Sequence, residues 1–149
     1  MQTLDTLSLM DRILFLKRVP LFAKLPPAEV KQVAAIADEH LFVDGEVIAR
    51  QNEPGDELYV IVSGNVRVMV TDDGRETEIA LRGSGEYVGE MAIISQKPRM
   101  AKLVAVGDVR VLCIGQKSFE GILRERPVTS LAVMRELCDR LRERESAAQ

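Results

Sequence analysis

Residues 87–105 read YVGEMAIISQKPRMAKLVA. Gly89-Glu90 leads into a short apolar run, and Pro98-Arg99 follows with Met100-Ala101. An acid, a base, a flexible backbone point and a rigid one therefore fall close together. The set suits a pocket for one phosphate and the sugar attached to it. Gly89 has no side chain, so the backbone can turn sharply there or approach a ligand closely. Met91-Ala92-Ile93-Ile94 is suited to one helical turn, whose unpaired N–H groups would face an anion. Arg99 offers a permanently charged, two-pronged donor for phosphate oxygens. Glu90 can accept hydrogen bonds from a sugar hydroxyl.

Upstream, Glu53-Pro54-Gly55-Asp56 is followed by Leu58-Tyr59-Val60-Ile61-Val62 and then Ser63-Gly64-Asn65-Val66. These blocks, in this order and at this separation, resemble the phosphate-binding cassette and strand signature of the cyclic-nucleotide-binding domain family. That family includes kinase regulatory subunits, bacterial catabolite activator proteins and cyclic-nucleotide-gated channels. The resemblance runs from about residue 19 to 145 of this chain. It implies that Arg99 meets the phosphate and that Glu90 meets the ribose 2′-hydroxyl. Gly89 and Met91 lie within the cassette, and backbone N–H groups near Ala92 and Met100 complete the phosphate cradle. Val68 and Ile79 are the candidate wall for the base. Met100 stands where the family has a small residue or a threonine whose hydroxyl favours cGMP. The implied ligand is therefore cAMP before cGMP, with no further cofactor. Lys102 either adds positive charge near the phosphate or faces solvent.

The resemblance also selects the fold, a mainly β double-stranded β-helix (jelly-roll) barrel with N-terminal helices and C-terminal lid helices. Periodicity alone reaches only a sandwich or barrel. The expected division is one domain over 1–149, with helices in 8–37, the barrel in 39–115 and helices in 117–145. Ser8 and Asp11 form a capping-box pattern before a helix in which Leu9, Ile13 and Leu16 share a face. Pro20 is expected to end that run. Pro26-Pro27 opens a second helix with Val30, Val33, Ala34 and Ala37 as its apolar stripe. In the β region Val66, Val68 and Val70 alternate with Arg67 and Met69, and Asp73-Gly74 marks a hairpin. Gly55 and Gly64 are expected to serve turns. After Gln116, Phe119, Ile122 and Leu123 make one stripe, and Pro127 interrupts. Leu131, Met134, Leu137, Cys138 and Leu141 then make another, either packed on its own domain or forming a homodimer seam. Leu131 to Arg144 is the expected lid. It has no aromatic residue, so Arg135, Arg140 or Arg142 is left to stack on the base.

The 149 residues suffice for a domain with a real core. The net charge of −3 argues against a broad nucleic-acid surface, and no direct nucleic-acid binding is expected. One arginine can still create a local anion site. No apolar run approaches the roughly 18 to 20 residues that span a bilayer, and no signal-peptide pattern opens the chain. Cys113 and Cys138 lack metal-ligand spacing and are expected to be buried free thiols in a reducing, cytoplasmic setting. A single histidine, His40, speaks against a cupin-type metal enzyme, and no nucleophile constellation appears. The expectation is a non-catalytic sensor. No room remains after the last helix for a DNA-reading helix-turn-helix, so the output would belong to a separate partner or to a longer chain.

Overall fold

The computed structural model describes residues 6–90 and 97–148. Helix α1 spans Leu9–Leu16, and the Ser8 hydroxyl accepts from the Asp11 N–H at 3.1 Å. Half of the anticipated capping box thus forms. Leu16 is buried on this helix, whereas Leu9 is exposed. Pro20 does not merely stop a helix. It occupies the first turn of α2 (Pro20–Ala23), where its missing N–H costs nothing. Helix α3 (Pro27–Ile36) begins at Pro27 and buries Val30, Val33 and Ala34, with Ala37 just beyond its end.

Six strands follow: β1 (Asp38–Phe42), β2 (Val47–Ala49), β3 (Glu57–Asp72), β4 (Arg75–Arg82), β5 (Tyr87–Val88) and β6 (Lys102–Gly115). All pairings are antiparallel, in the order β1-β6-β3-β4, with β2 also on β6 and β5 also on β3. Helices α4 (Gln116–Glu125) and α5 (Pro127–Ala148) complete the described chain. The architecture is the mainly β, helix-flanked jelly roll. β1 and β4 do not pair with each other, so the sheet is not closed into a complete barrel.

Period two explains how β3 and β6 serve two cores at once. Leu58 and Val60 on β3, with Leu112 and Ile114 on β6, join α1–α4 in one buried cluster. Tyr59 and Ile61, with Val109, Val111 and Cys113, point to the opposite face and build the sheet interior. The register shifts around Gly64, whose φ is +86°. A Cβ there would meet the backbone of Asp108 and Val109, so this glycine permits a close crossing within β3 and does not serve a loop turn. Asp73 and Gly74 both have positive φ and close the β3–β4 hairpin as anticipated.

Phe119 of α4 meets Phe22 of α2 edge to face, with ring centroids 5.9 Å apart. Both rings are fully buried, so this pair joins the N-terminal helices to those that follow the sheet. Helix α5 packs differently from its expected stripe. Leu131, Met134, Cys138 and Leu141 are exposed. Thr129 and Val133 are buried instead, with Leu137 packed partly against the core. Cys138 is therefore an exposed thiol, while Cys113 is buried as expected. Phe119→Ala should destabilise the protein by about 3–5 kcal/mol, measured as the shift in the denaturant midpoint at constant slope.

Candidate functional site

A cavity of about 690 Å³ opens between the sheet and α5. Val68 and Val70 of β3, Ile79 and Ala80 of β4, Val88 and Leu103 line its apolar side. Gly89, Glu90, Lys97, Pro98, Arg99 and Met100 line the side formed by the cassette. Arg140 and Glu143 reach it from α5. The expected site residues Gly89, Glu90, Arg99, Met100, Val68 and Ile79 thus meet around one space. Met91 and Ala92, with the helical turn read at 91–94, lie outside the described residues.

Local backbone features aim these side chains. Between β3 and β4 the pairing passes from Val68↔Ala80 to Met69↔Glu78, leaving Ile79 as the extra residue of a bulge. A bulge breaks strict alternation, which is why two successive residues, Ile79 and Ala80, both face the cavity. Ile79 remains 61% exposed and Met100 65% exposed, so the apolar wall is open at its rim. Gly89 has φ +81°, and a Cβ on it would crowd the Glu57 carbonyl at 3.2 Å. Only glycine adopts that turn easily directly after β5.

Arg99 is tied to the segment that precedes β3. Its N–H donates to the Glu53 carbonyl at 2.9 Å, and its own carbonyl accepts from the Asn52 N–H at 2.8 Å. Its Nη2 donates to the Glu57 carbonyl at 3.3 Å and to the Tyr59 hydroxyl at 3.4 Å. The guanidinium carbon lies 5.3 Å from the Tyr59 ring centroid, within cation–π reach. These side-chain partners are neutral, so they position the guanidinium without cancelling its charge. Burial raises the Tyr59 phenol above its usual range, and the Arg99 charge opposes that rise.

Glu90 is buried, and its Oε1 lies 3.6 Å from Nε of Arg140 on α5. The same guanidinium covers the Tyr87 ring at 4.1 Å. The Tyr87 hydroxyl donates to Glu136, also on α5, at 3.2 Å. Among the three arginines offered by the sequence, the fold brings Arg140 to the cavity, where it meets Glu90 and Tyr87. Tyr59 and Tyr87 join the site although no motif residue marks them. Their signal was an aromatic residue in a strand flanking each cassette block, which reads equally well as core. Lys102 does not line the cavity and forms an exposed ion pair with Glu76 of β4 at 2.9 Å. Around the cavity Arg82, Lys97, Arg99 and Arg140 outnumber Glu90 and Glu143. In a chain of net charge −3 this is a local cationic site, suited to an anion.

Residues 39–126 match the family model for the cyclic nucleotide-binding domain, a shorter stretch than the 19–145 read from the sequence. The cyclic AMP receptor protein of Thermus thermophilus is 34% identical over 129 residues, covering 86% of this chain and 60% of that protein. The regulatory domain of Toxoplasma gondii PKA, crystallised with cAMP, superposes with a TM-score of 0.79 at 28% identity, over 91% of this chain and 50% of that one. The regulatory subunit of a cAMP-independent protein kinase A from Trypanosoma brucei gives 0.79 at 26% identity, over 95% and 52%. The chain thus spans between half and two-thirds of each of these relatives.

Burial pushes the Tyr87 phenol up to about 12, against the opposing pull of Arg140. A raised phenol pKa favours the neutral form in the fold. Its stabilisation is complete below the ordinary value of 10.0 and is lost as pH rises through about 12. Tyr87→Phe should therefore flatten the fall in folding stability between these pH values, measured by denaturant titration across the alkaline range. An unchanged slope would count against the phenol's burial.

Proposed function

The chain belongs to the cyclic nucleotide-binding domain family, and from that premise we propose that it is a non-catalytic sensor module for a cyclic mononucleotide, cAMP before cGMP. The observation that carries this reading is the meeting of Arg99, Glu90 and Gly89 at one cationic cavity with an apolar wall across from them. A cyclic nucleotide has one phosphodiester charge, one ribose 2′-hydroxyl and a flat base. Arg99 would take the phosphate, with its guanidinium already oriented by Glu57 and Tyr59. Glu90 would accept from the hydroxyl. Val68 and Ile79 would face the base, with Met100 at the rim offering no hydroxyl to a guanine.

Signalling would run through α5. A ligand shifts a protein only by preferring one conformation. Glu90 is held to Arg140 of that helix, so a ribose hydroxyl arriving at Glu90 changes the balance at the helix contact. The Trypanosoma relative, the regulatory subunit of a cAMP-independent protein kinase A, supports a second reading, in which the fold serves another ligand or acts as an interaction scaffold.

Calorimetric titration with cAMP and cGMP should give saturable binding, tighter for cAMP. Arg99→Ala should weaken it by about 2–5 kcal/mol, roughly thirtyfold to several-thousandfold, while the far-ultraviolet dichroism stays unchanged. A folded wild-type protein that takes up neither nucleotide would refute the sensor reading in favour of the second.

A further inference from the structure

We infer that Gly55 is a positioning residue for Arg99, and that its missing side chain is what lets the guanidinium lie in the cavity wall. A Cβ placed on Gly55 would fall less than 3.0 Å from Nε, Cζ and Nη2 of Arg99. No ordinary contact is that short, so an alanine and the observed Arg99 rotamer exclude each other.

The requirement does not come from the backbone. The glycines with positive φ are Gly45, Gly64, Gly74, Gly85, Gly89 and Gly107, and Gly55 is not among them. An L-residue can adopt its conformation. The three atoms nearest its Cβ position all belong to the Arg99 guanidinium. At Gly64, by contrast, a Cβ would strike the Asp108 carbonyl and the Val109 backbone. A side chain on Gly64 therefore strains the fold, whereas a side chain on Gly55 displaces the end of a long, flexible arginine.

Displacement matters because Arg99 is anchored at Nη2 and through its own backbone. Glu57 and Tyr59 fix Nη2 from β3, and the backbone bonds to Asn52 and Glu53 bring residue 99 against the same segment. Gly55 lies between those two sets of anchors. A methyl group there lifts the guanidinium off Tyr59 and away from the position where an anion would meet it.

The inference rests on the proposed sensor reading for its binding arm and on Arg99 alone for its structural arm. Calorimetry with cAMP would compare wild type, Gly55→Ala, Arg99→Ala and the double variant. Gly55→Ala should lose at least about tenfold in affinity with an unchanged melting temperature. The double variant should bind no more weakly than Arg99→Ala, because the methyl acts through the guanidinium. In parallel, the Nε–Hε resonance of Arg99, assigned by its loss in Arg99→Ala, should move in Gly55→Ala without any ligand. Wild-type affinity in Gly55→Ala, a further tenfold loss in the double variant, or an unmoved resonance would overturn the inference. So would unfolding of Gly55→Ala, which would place the requirement in the backbone. If the wild type takes up no cyclic nucleotide, the sensor reading falls and the resonance still decides the role of Gly55.

Discussion

Strand β3 pairs with β6 along most of its length, and alternate side chains of both strands enter two different cores. Everything else is hung on this pairing. One face supports the helices through Leu58, Val60, Leu112 and Ile114. The other carries Tyr59 and, past the shift at Gly64, Val66 and Val68. The residues that seat Arg99 are therefore fixed by the same hydrogen-bond ladder that seats the helices. A slip of one residue would exchange the two faces and destroy both.

Within that frame the cassette arginine is a partly buried charge with neutral partners. Removing a guanidinium from water carries a desolvation cost, which the hydrogen bonds it donates to a carbonyl and a phenol oxygen offset only in part. The remaining demand is for negative charge. Two other guanidiniums around the same cavity are already paired, Arg82 with Glu86 and Arg140 with Glu90. An incoming anion would thus meet a site whose geometry is set before it arrives, which lowers the ordering cost of binding.

The sequence made much of this legible for specific reasons. Gly89-Glu90 and Pro98-Arg99 are close in the chain, so their convergence needed no long-range inference. Val30, Val33 and Ala34 showed their face because the buried side of α3 is mostly apolar, with Glu29, paired to Arg126, as its charged member. The stripe of α5 meets the body only through Leu137: periodicity tells which residues share a face, never which face meets the body. The face that docks carries Thr129 and Arg140 with Val133 and Leu137, and its polar members obscure it. Gly55 read as a turn residue because its neighbours Pro54 and Asp56 favour turns. Its contact lies 44 positions away in the chain, and no local pattern encodes such a distance.

Glu90 holds two of these strands of argument together. The resemblance gives it to the sugar, and the fold gives it to Arg140. Both partners of that ion pair are nearly buried, with side chains 8% and 12% exposed. In such surroundings, loosening one partner leaves the other charge poorly solvated, so the contact does not open without consequence. Arg140 also covers Tyr87, whose hydroxyl reaches Glu136 one turn earlier on α5. Any hydroxyl that engages Glu90 therefore acts on a helix held at two points by the same strand end. Under the proposed reading the linkage is reciprocal: whatever moves α5 from outside must alter ligand affinity by the same factor that the ligand alters the helix.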